Sequence, residues 1–288
     1  MLASVPWALL YGAGACLAFL AHRVLRYRLQ IVRANLAGAF PGLGARALRD
    51  IERRYYRGLG QLCAEIVKSA SLAPQALRER VTLAEVEPLR RELAAGRSVL
   101  LVAAHQCNWE WLLLALSLQL GHPVEAAYKP LHAGPAERLM QALRTRFGSR
   151  LTPAKELLGR ILKDRETRAI AMVADQEPVT SEYKWWTRFL GRPTAFYMGP
   201  EKIAQVTRFA VFFAAMRRLE RGRYEVRFET LAAPRETLPA GALTERFARC
   251  VEAQIQAHPA DWMWSHRRWK LRRPTYSPEG SALDQGSV

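Results

Sequence analysis

A histidine and a glutamate stand five positions apart in a segment that joins a predicted strand to a predicted helix. His105 and Glu110 follow the apolar run 98–102. An imidazole held by a carboxylate through one ring nitrogen can act as a general base through the other. Within one regular helix, residues five apart point about 140° away from each other. The pair can therefore meet only if His105 lies before the helix, in a turn that folds it back. A helix-capping turn with an incidental histidine is the other interpretation, and the pattern alone does not choose between them.

The surrounding sequence places this turn at one edge of a parallel sheet. The apolar run before it is short and rich in valine and leucine, which is typical of a buried strand, and an apolar helical segment follows at 111–120. Asn108 is a candidate N-cap that puts Glu110 in the first helical turn, where the helix dipole stabilises negative charge. Further buried-type strands at 124–128 and 169–174 alternate with helices. This alternation predicts an α/β fold with a mostly parallel central sheet flanked by helices, in which ligands bind at the carboxyl ends of the strands.

The chain is strongly basic. It has 43 Lys and Arg residues against 26 Asp and Glu residues among 288, which gives a net charge of +17. Such a charge predicts an anionic partner: nucleic acid, an anionic membrane, or an acidic carrier or substrate. The 50% hydrophobic content argues against a disordered chain.

Other common catalytic signatures are missing from the sequence. The four cysteines are scattered along the sequence and form no CxxC motif, so neither a zinc site nor a disulfide framework is predicted. No metal or cofactor is expected. The sequence has no G-x-S-x-G, P-loop or G-x-G-x-x-G motif, which disfavours a serine hydrolase and a nucleotide-binding protein. Cys107 stands near His105, and we interpret it as a packing residue.

An apolar segment opens the chain. Residues 2–21 carry no charged side chain, and about 20 helical residues span roughly 30 Å, the thickness of the hydrocarbon core of a membrane. Trp7 and Tyr11 suit the interface zone. Basic residues follow the segment and none precedes it, which argues against a cleaved signal peptide and places the remainder in the cytoplasm. We predict a membrane anchor at 1–22; the alternative is a helix that lies on the membrane or packs on the domain.

Three further parts follow the anchor. Residues 23–82 are predicted as a helical membrane-proximal segment, and 83–273 as the α/β domain. The polar residues 274–288 are predicted as a disordered tail.

The motif around His105 resembles the H-x4-D/E signature of glycerolipid-type acyltransferases. In its longer form, His-Gln-Cys-Asn-Trp-Glu, it is similar to the H-x-G-N-W-E variant of the bacterial lipid A late acyltransferase family, within the lysophospholipid acyltransferase-like superfamily. Cys107 departs from the usual glycine. The resemblance covers nearly the whole chain, and its other blocks occur in the same order: Tyr128-Lys129-Pro130, Arg144 with Phe147-Gly148, Asp175-Gln176, Arg188 to Thr194, and Pro259 to Lys270.

This resemblance implies an acyltransferase domain that moves a fatty acyl chain from an acyl carrier protein or acyl-CoA thioester to a hydroxyl of a membrane lipid, such as a lipid A precursor. His105 would be the general base and Glu110 its partner. The hydroxyl would attack the thioester directly, on the cytoplasmic side of the bacterial inner membrane, with an anionic lipid as acceptor and no nucleic acid. The expected substrate-binding residues are Asn108, Lys129, Arg144, Asp175, Gln176, Arg188, Gly191, Arg267 and Arg268.

The sequence alone is compatible with other functions. Lysophospholipid, ornithine-lipid and glycolipid acceptors suit the same superfamily. A non-catalytic basic protein that binds membranes or nucleic acid is a second class, because basic residues interleaved with tryptophans near the C-terminus suit a membrane interface or single-stranded nucleic acid. These residues are Trp262, Trp264, Arg267, Arg268, Trp269 and Lys270.

The predicted orientation can be measured with a topology reporter. A reporter fused after Val288 should be active in its cytoplasmic form, because basic residues follow the apolar segment. A periplasmic signal would contradict this orientation.

Overall fold

The structure is a computed structural model that describes residues 5–129, 134–179 and 183–273. The predicted tail and Pro130 lie outside these residues. The helices are α1 (Trp7–Phe19, continued by a π-helical turn, Leu20–Val24), α2 (Leu29–Ala39), α3 (Ala45–Ser69), α4 (Pro74–Arg80), α5 (Glu87–Ala94), α6 (Trp109–Gln119), α7 (Pro135–Thr145), α8 (Leu157–Lys163), α9 (Gly199–Thr207) and α10 (Ala242–Ala257). The strands are β1 (Val81–Ala84), β2 (Val99–Ala103), β3 (Val124–Tyr128), β4 (Arg150–Pro153), β5 (Ala169–Val173), β6 (Lys184–Phe189), β7 (Arg192–Tyr197), β8 (Ala210–Glu220) and β9 (Arg223–Ala232).

Seven of these strands form one sheet in the order β1-β9-β8-β2-β5-β3-β4. Neighbours are parallel except for the antiparallel pair β8 and β9, and β6 pairs with β7 as a separate antiparallel hairpin. The predicted α/β class with a mostly parallel sheet and flanking helices is thus confirmed. The sheet begins at residue 81, two positions before the predicted start of the domain.

The central strand β2 is buried along its whole length. Its side chains alternate between two apolar layers, as the two-residue period of a strand requires. Leu100 and Val102 join the layer that contains Phe247 of α10. Leu101 and Trp111 belong to the opposite layer, so that α6 covers the other face of the sheet.

The register of β2 and β5 brings two polar residues to the same edge. Ala103 of β2 pairs with Val173 of β5. His105 and Asp175 each come two residues after this last pair, where both chains leave the sheet. Because the strands are parallel, these residues meet at the carboxyl edge, where open α/β sheets bind ligands.

The N-terminal helix runs antiparallel to α3. At one end, Nζ of Lys68 donates to the carbonyl oxygen of Val5 at 3.1 Å. At the other end, Nε2 of His22 lies 2.7 Å from Oε1 of Glu52. The helical stretch 7–24 is long and apolar enough to cross a membrane, with a mean hydropathy of 1.3. It is therefore both a candidate anchor and a helix that packs on the domain.

The side of this helix that faces away from α3 is apolar and exposed. A surface of this kind normally marks contact with a membrane or another apolar partner. Its large exposed side chains are Leu9, Leu17, Phe19, Leu20, Val24 and Leu25.

The close approach of α1 to α3 depends on two glycines. A Cβ on Gly14 would lie 2.5 Å from the carbonyl oxygen of Gly60, whereas a Cβ on Gly12 would have nothing within 4 Å. Gly14→Ala should therefore lower the free energy of unfolding by about 1–3 kcal/mol through overpacking. The matched control, Gly12→Ala, should be neutral or stabilising by up to about 1 kcal/mol, because alanine favours a helix. Thermal unfolding in detergent micelles measures both, and equal stability of the two variants would contradict this packing.

Candidate active site

The imidazole of His105 is held by Asp175. Nδ1 of His105 lies 2.6 Å from Oδ1 of Asp175, and the backbone N–H of His105 donates to the same oxygen at 3.0 Å. The indole Nε1–H of Trp262 donates to the other carboxylate oxygen, Oδ2, at 2.6 Å. Because an ionised carboxylate only accepts, Nδ1 carries the proton and the neutral ring has its lone pair on Nε2. The ring is thus oriented as a general base would be.

Asp175 is almost fully buried, with 1% of its surface exposed. Burial raises the pKa of its carboxyl, but the electrostatic interaction with His105 and the hydrogen bonds from His105 and Trp262 outweigh it, so the pKa lies below its usual value. Asp175 is therefore ionised at neutral pH and can stabilise an imidazolium that forms beside it. The His105 side chain is 19% exposed, so the ring is accessible while its partner is not.

Glu110 binds Arg144 and does not hold the Nδ1 side of the His105 ring. Its two oxygens accept from Nε of Arg144 at 2.8 Å and from Nη2 at 2.6 Å. Nε1 of Trp109 donates to Oε1 at 3.2 Å. The contact of His105 with Asp175 differs from the predicted pairing of His105 with Glu110, which stays a prediction. The physical reason is that Glu110 lies in the first turn of α6 beside α7, whereas His105 lies before the turn and next to the end of β5. The catalytic roles of these residues stay predictions.

The turn between His105 and α6 contains the bend that the five-residue spacing requires. Cys107 has a φ of 55°, in the left-handed region, and its N–H donates to the carbonyl oxygen of Asp261 at 2.9 Å. The N-cap predicted at Asn108 is confirmed, because its Oδ1 accepts from the backbone N–H of Trp111 at 3.0 Å. A glycine would adopt the φ of Cys107 without strain, which explains why glycine is the usual residue in the resembling motif.

The thiol of Cys107 packs inside the protein. It is 4% exposed, and Sγ donates to the carbonyl oxygen of Met216 at 3.4 Å. Burial raises the pKa of the thiol well above its usual value, so it stays protonated at neutral pH and is a poor nucleophile. These observations support the interpretation of Cys107 as a packing residue.

A small cavity borders the turn, and its lining includes the charged residues Arg218 and Asp261. Leu59 and Leu62 of α3 line it, together with Trp109 and Met263. The ring of Trp109 also packs edge-on against the His105 ring, with 5.1 Å between the centroids.

The other predicted substrate-binding residues are distributed more widely. Asn108 is fully buried and caps α6, while Lys129 is exposed at the end of β3 and Gln176 is half-buried next to Asp175. Arg188 and Gly191 are exposed on the β6–β7 hairpin, where Nη1 of Arg188 donates to the carbonyl oxygen of Gly191 at 3.2 Å. The described contacts do not connect these two residues directly with His105.

Half of the C-terminal cluster of basic and aromatic residues is interior, which corrects the predicted surface patch in part. Trp262, Trp264 and Arg268 are at most 2% exposed, Trp269 is half-buried, and Arg267 and Lys270 are exposed. Nη2 of Arg268 donates to the carbonyl oxygen of Ala195 at 2.7 Å, and its guanidinium packs over aromatic rings of the hairpin. The reason is that this segment returns beside the turn between His105 and Asn108 and supplies Trp262 to Asp175. No local sequence signal distinguishes such a segment from an interfacial one.

His266 makes the stability of the fold around the site depend on pH. The N–H of Glu177 donates to Nε2 of His266 at 3.1 Å, and burial, together with the charge of Arg268, lowers the pKa of the imidazole to about 4. A histidine that must stay neutral stabilises the fold above its unfolded pKa of about 6.5 and loses this contribution as the pH falls towards 4.

The free energy of unfolding of the wild type should therefore fall between pH 6.5 and pH 4, by at most about 1.4 kcal/mol per pH unit and by less to the extent that solvent screens the group. The unfolding midpoint should fall with it. His266→Gln keeps an acceptor for Glu177 but does not titrate, so its midpoint should fall less over the same interval. Thermal unfolding against pH measures the difference. Parallel curves for the two proteins would show that His266 does not contribute.

The chain was compared with known proteins. The family model described as bacterial lipid A biosynthesis acyltransferase matches residues 1–271. The chain is 25% identical to the lipid A biosynthesis lauroyltransferase of Escherichia coli strain K12 over 286 residues, which covers 97% of this chain and 90% of that protein. It is 23% identical to the lipid A biosynthesis palmitoleoyltransferase of the same strain and to a lipid A biosynthesis acyltransferase of Shigella flexneri, in each case over 93% of this chain and 87% of the relative.

The family match agrees with the features of the chain. The apolar N-terminal helix and these relatives together fit an association with a membrane. The site holds an oriented imidazole at the carboxyl edge of the sheet. The chain belongs to the bacterial lipid A biosynthesis acyltransferase family and is an enzyme that transfers acyl groups.

Proposed function

We propose that the protein transfers a fatty acyl chain from an acyl carrier protein or coenzyme A thioester to a hydroxyl of a lipid A precursor. The observation that carries this proposal is the pair formed by His105 and the buried carboxylate of Asp175, which leaves Nε2 as a base. The names of the relatives specify lipid A biosynthesis and acyl transfer. The basic chain suits a donor with phosphate groups or an acidic carrier surface, as well as an anionic acceptor.

The reaction needs one proton transfer and one exchange of bonds. Nε2 of His105 takes the proton of the acceptor hydroxyl while the hydroxyl oxygen attacks the thioester carbonyl carbon. The resulting tetrahedral intermediate collapses, the C–S bond breaks, and the imidazolium returns the proton to the leaving thiolate. Asp175 stabilises the imidazolium between these two steps. The product is an oxygen ester, so this mechanism is an O-acyl transfer without a covalent enzyme intermediate.

Arg144 has a separate role in this proposal. Its bidentate contact with Glu110 uses two of the five N–H groups of a guanidinium and fixes its plane. The remaining N–H groups can bind a phosphate of the acceptor or the oxyanion of the intermediate. Glu110 thus orients an arginine, while Asp175 orients the base.

The apolar helix α1 supplies the membrane contact in this proposal. Its exposed apolar side inserts into the inner membrane, and the following basic residues meet anionic headgroups on the cytoplasmic side. The site then acts on a lipid without removing it far from the bilayer.

His105→Ala should lower kcat by about 10²–10⁴-fold, because general base catalysis is typically worth that much. The control is His122→Ala, since His122 lies in the turn before β3, at the opposite edge of the sheet from His105. The assay follows labelled acyl groups from an acyl carrier thioester into a lipid extract, and mass spectrometry of the products identifies the acceptor. A wild-type protein as inactive as His105→Ala would overturn the proposal. A labelled lysophospholipid, ornithine lipid or other glycolipid would show that the acceptor is a different lipid within the range of the superfamily.

The two carboxylates should respond differently to amide substitution. Asp175→Asn should reduce kcat by at least about tenfold and move the acid side of the pH–rate profile to lower pH, because a neutral amide no longer stabilises the imidazolium. Glu110→Gln should reduce activity through Arg144 and leave the shape of the profile unchanged. Initial rates between pH 5 and pH 9 test this. If Glu110→Gln moves the profile and Asp175→Asn does not, the roles are reversed.

A further inference from the structure

A buried carboxylate on α3 is not used by the proposed chemistry. Glu65 is 0% exposed and accepts three side-chain hydrogen bonds. The phenol of Tyr11 donates to Oε1 at 3.1 Å, while Nδ2 of Asn108 and the phenol of Tyr224 each donate to Oε2 at 2.7 Å. The three donors come from α1, from the catalytic turn and from β9, so that Glu65 connects three separate parts of the chain.

The charge of Glu65 is only partly compensated. Burial raises the pKa of its carboxyl, and the three hydrogen bonds and the nearby guanidinium of Arg218 oppose this effect. Arg218 itself forms an ion pair with Asp261, whose carbonyl oxygen accepts the N–H of Cys107. Arg218 therefore lies between Glu65 and the segment that supports the turn of His105.

Asn108 connects this carboxylate to the start of α6. Its Nδ2 donates to Glu65, and its Oδ1 caps the helix at the N–H of Trp111. A side-chain amide has one donating and one accepting end, so the contact with Glu65 decides which end faces the helix. With the amide reversed, the cap would be lost, which typically costs about 1 kcal/mol at a helix start. His105 and Glu110 lie three residues before and two residues after Asn108.

The N-terminal helix contacts the same region at a second point. The ring of Trp7 packs edge-on against the ring of Trp111, with centroids 6.0 Å apart. The indole Nε1–H of Trp111 in turn donates to Oγ of Ser69 on α3 at 2.9 Å. Helix α1 therefore contacts both the carboxylate that orients Asn108 and the first turn of α6.

We propose that Glu65 is a positioning residue that couples the docking of α1 to the geometry of the catalytic turn. When α1 is docked, Tyr11 completes the set of donors around Glu65, and Asn108 is held in its capping orientation. When α1 leaves α3, Glu65 loses a donor and its cover, and the turn that carries His105 loosens. Acyl transfer then depends on the placement of the apolar helix as well as on the catalytic residues. This inference rests on the proposed function of His105.

Cys107 is a native reporter of the turn. It lies between His105 and Asn108 and is buried, so that a thiol reagent reaches it only when the turn opens. Cys250 on α10 is half-buried on the opposite face of the sheet and serves as an internal reference for general loosening. Peptide mass spectrometry reads the alkylation of each cysteine separately in the full-length protein.

The test compares Tyr11→Phe and Glu65→Gln with the control Tyr27→Phe, in full-length protein in detergent micelles. Tyr27 is an exposed tyrosine near the end of the N-terminal helical region, and its side chain does not belong to the Glu65 network. Tyr11→Phe should lower kcat about tenfold with little change in KM, the size expected for losing one hydrogen bond to a buried charge. It should also raise the alkylation rate of Cys107 several-fold relative to Cys250. Glu65→Gln should do the same to a larger extent, and Tyr27→Phe should match the wild type.

Two results would overturn the inference. One is a Tyr11→Phe protein with wild-type kcat and wild-type alkylation of Cys107. The other is a parallel rise in the alkylation of Cys107 and Cys250, which would show general destabilisation without specific positioning. The alkylation experiment needs no acyl substrate, so it decides the coupling even if the proposed acyl transfer is not observed.

Discussion

The geometry of the site depends on one buried carboxylate that accepts two hydrogen bonds from the same residue. Asp175 binds both the backbone N–H and the ring of His105 through one oxygen. The backbone contact fixes where the chain leaves β2, and the ring contact fixes the tautomer. An ionised carboxylate at this depth is costly unless hydrogen bonds compensate its burial, and the indole of Trp262 supplies the third of them. Residues from two separate loops thus hold Asp175 in its charged form.

Much of this architecture could be predicted from local sequence patterns. The valine-rich and leucine-rich runs indicated the parallel strands, and the five-residue spacing required a bend before Asn108. Both features are local, since they depend on strand burial, helix periodicity and capping. The order of the sequence blocks that resemble the acyltransferase family indicated the activity class, which the family match supports.

These local patterns could not determine which of two carboxylates contacts the His105 ring. Glu110 is close to His105 in sequence, whereas Asp175 is 70 residues away and becomes its neighbour only because β5 pairs with β2. Sheet order is a property of the whole fold, so a local motif cannot reveal it. The same limit applies to Trp262 and Arg268, whose composition resembles an interfacial patch although the fold buries them.

The donation from Trp262 to Asp175 also has a consequence for biosynthesis. A ribosome makes α1 before the other described elements, and the segment that contains Trp262 is among the last described parts of the chain to be made. The strands β2 and β5 can pair before that segment exists, but until then Asp175 lacks its indole donor, and the turn lacks the carbonyl oxygen of Asp261. With the membrane contact proposed for α1, the nascent protein would reach the bilayer before the surroundings of His105 are complete.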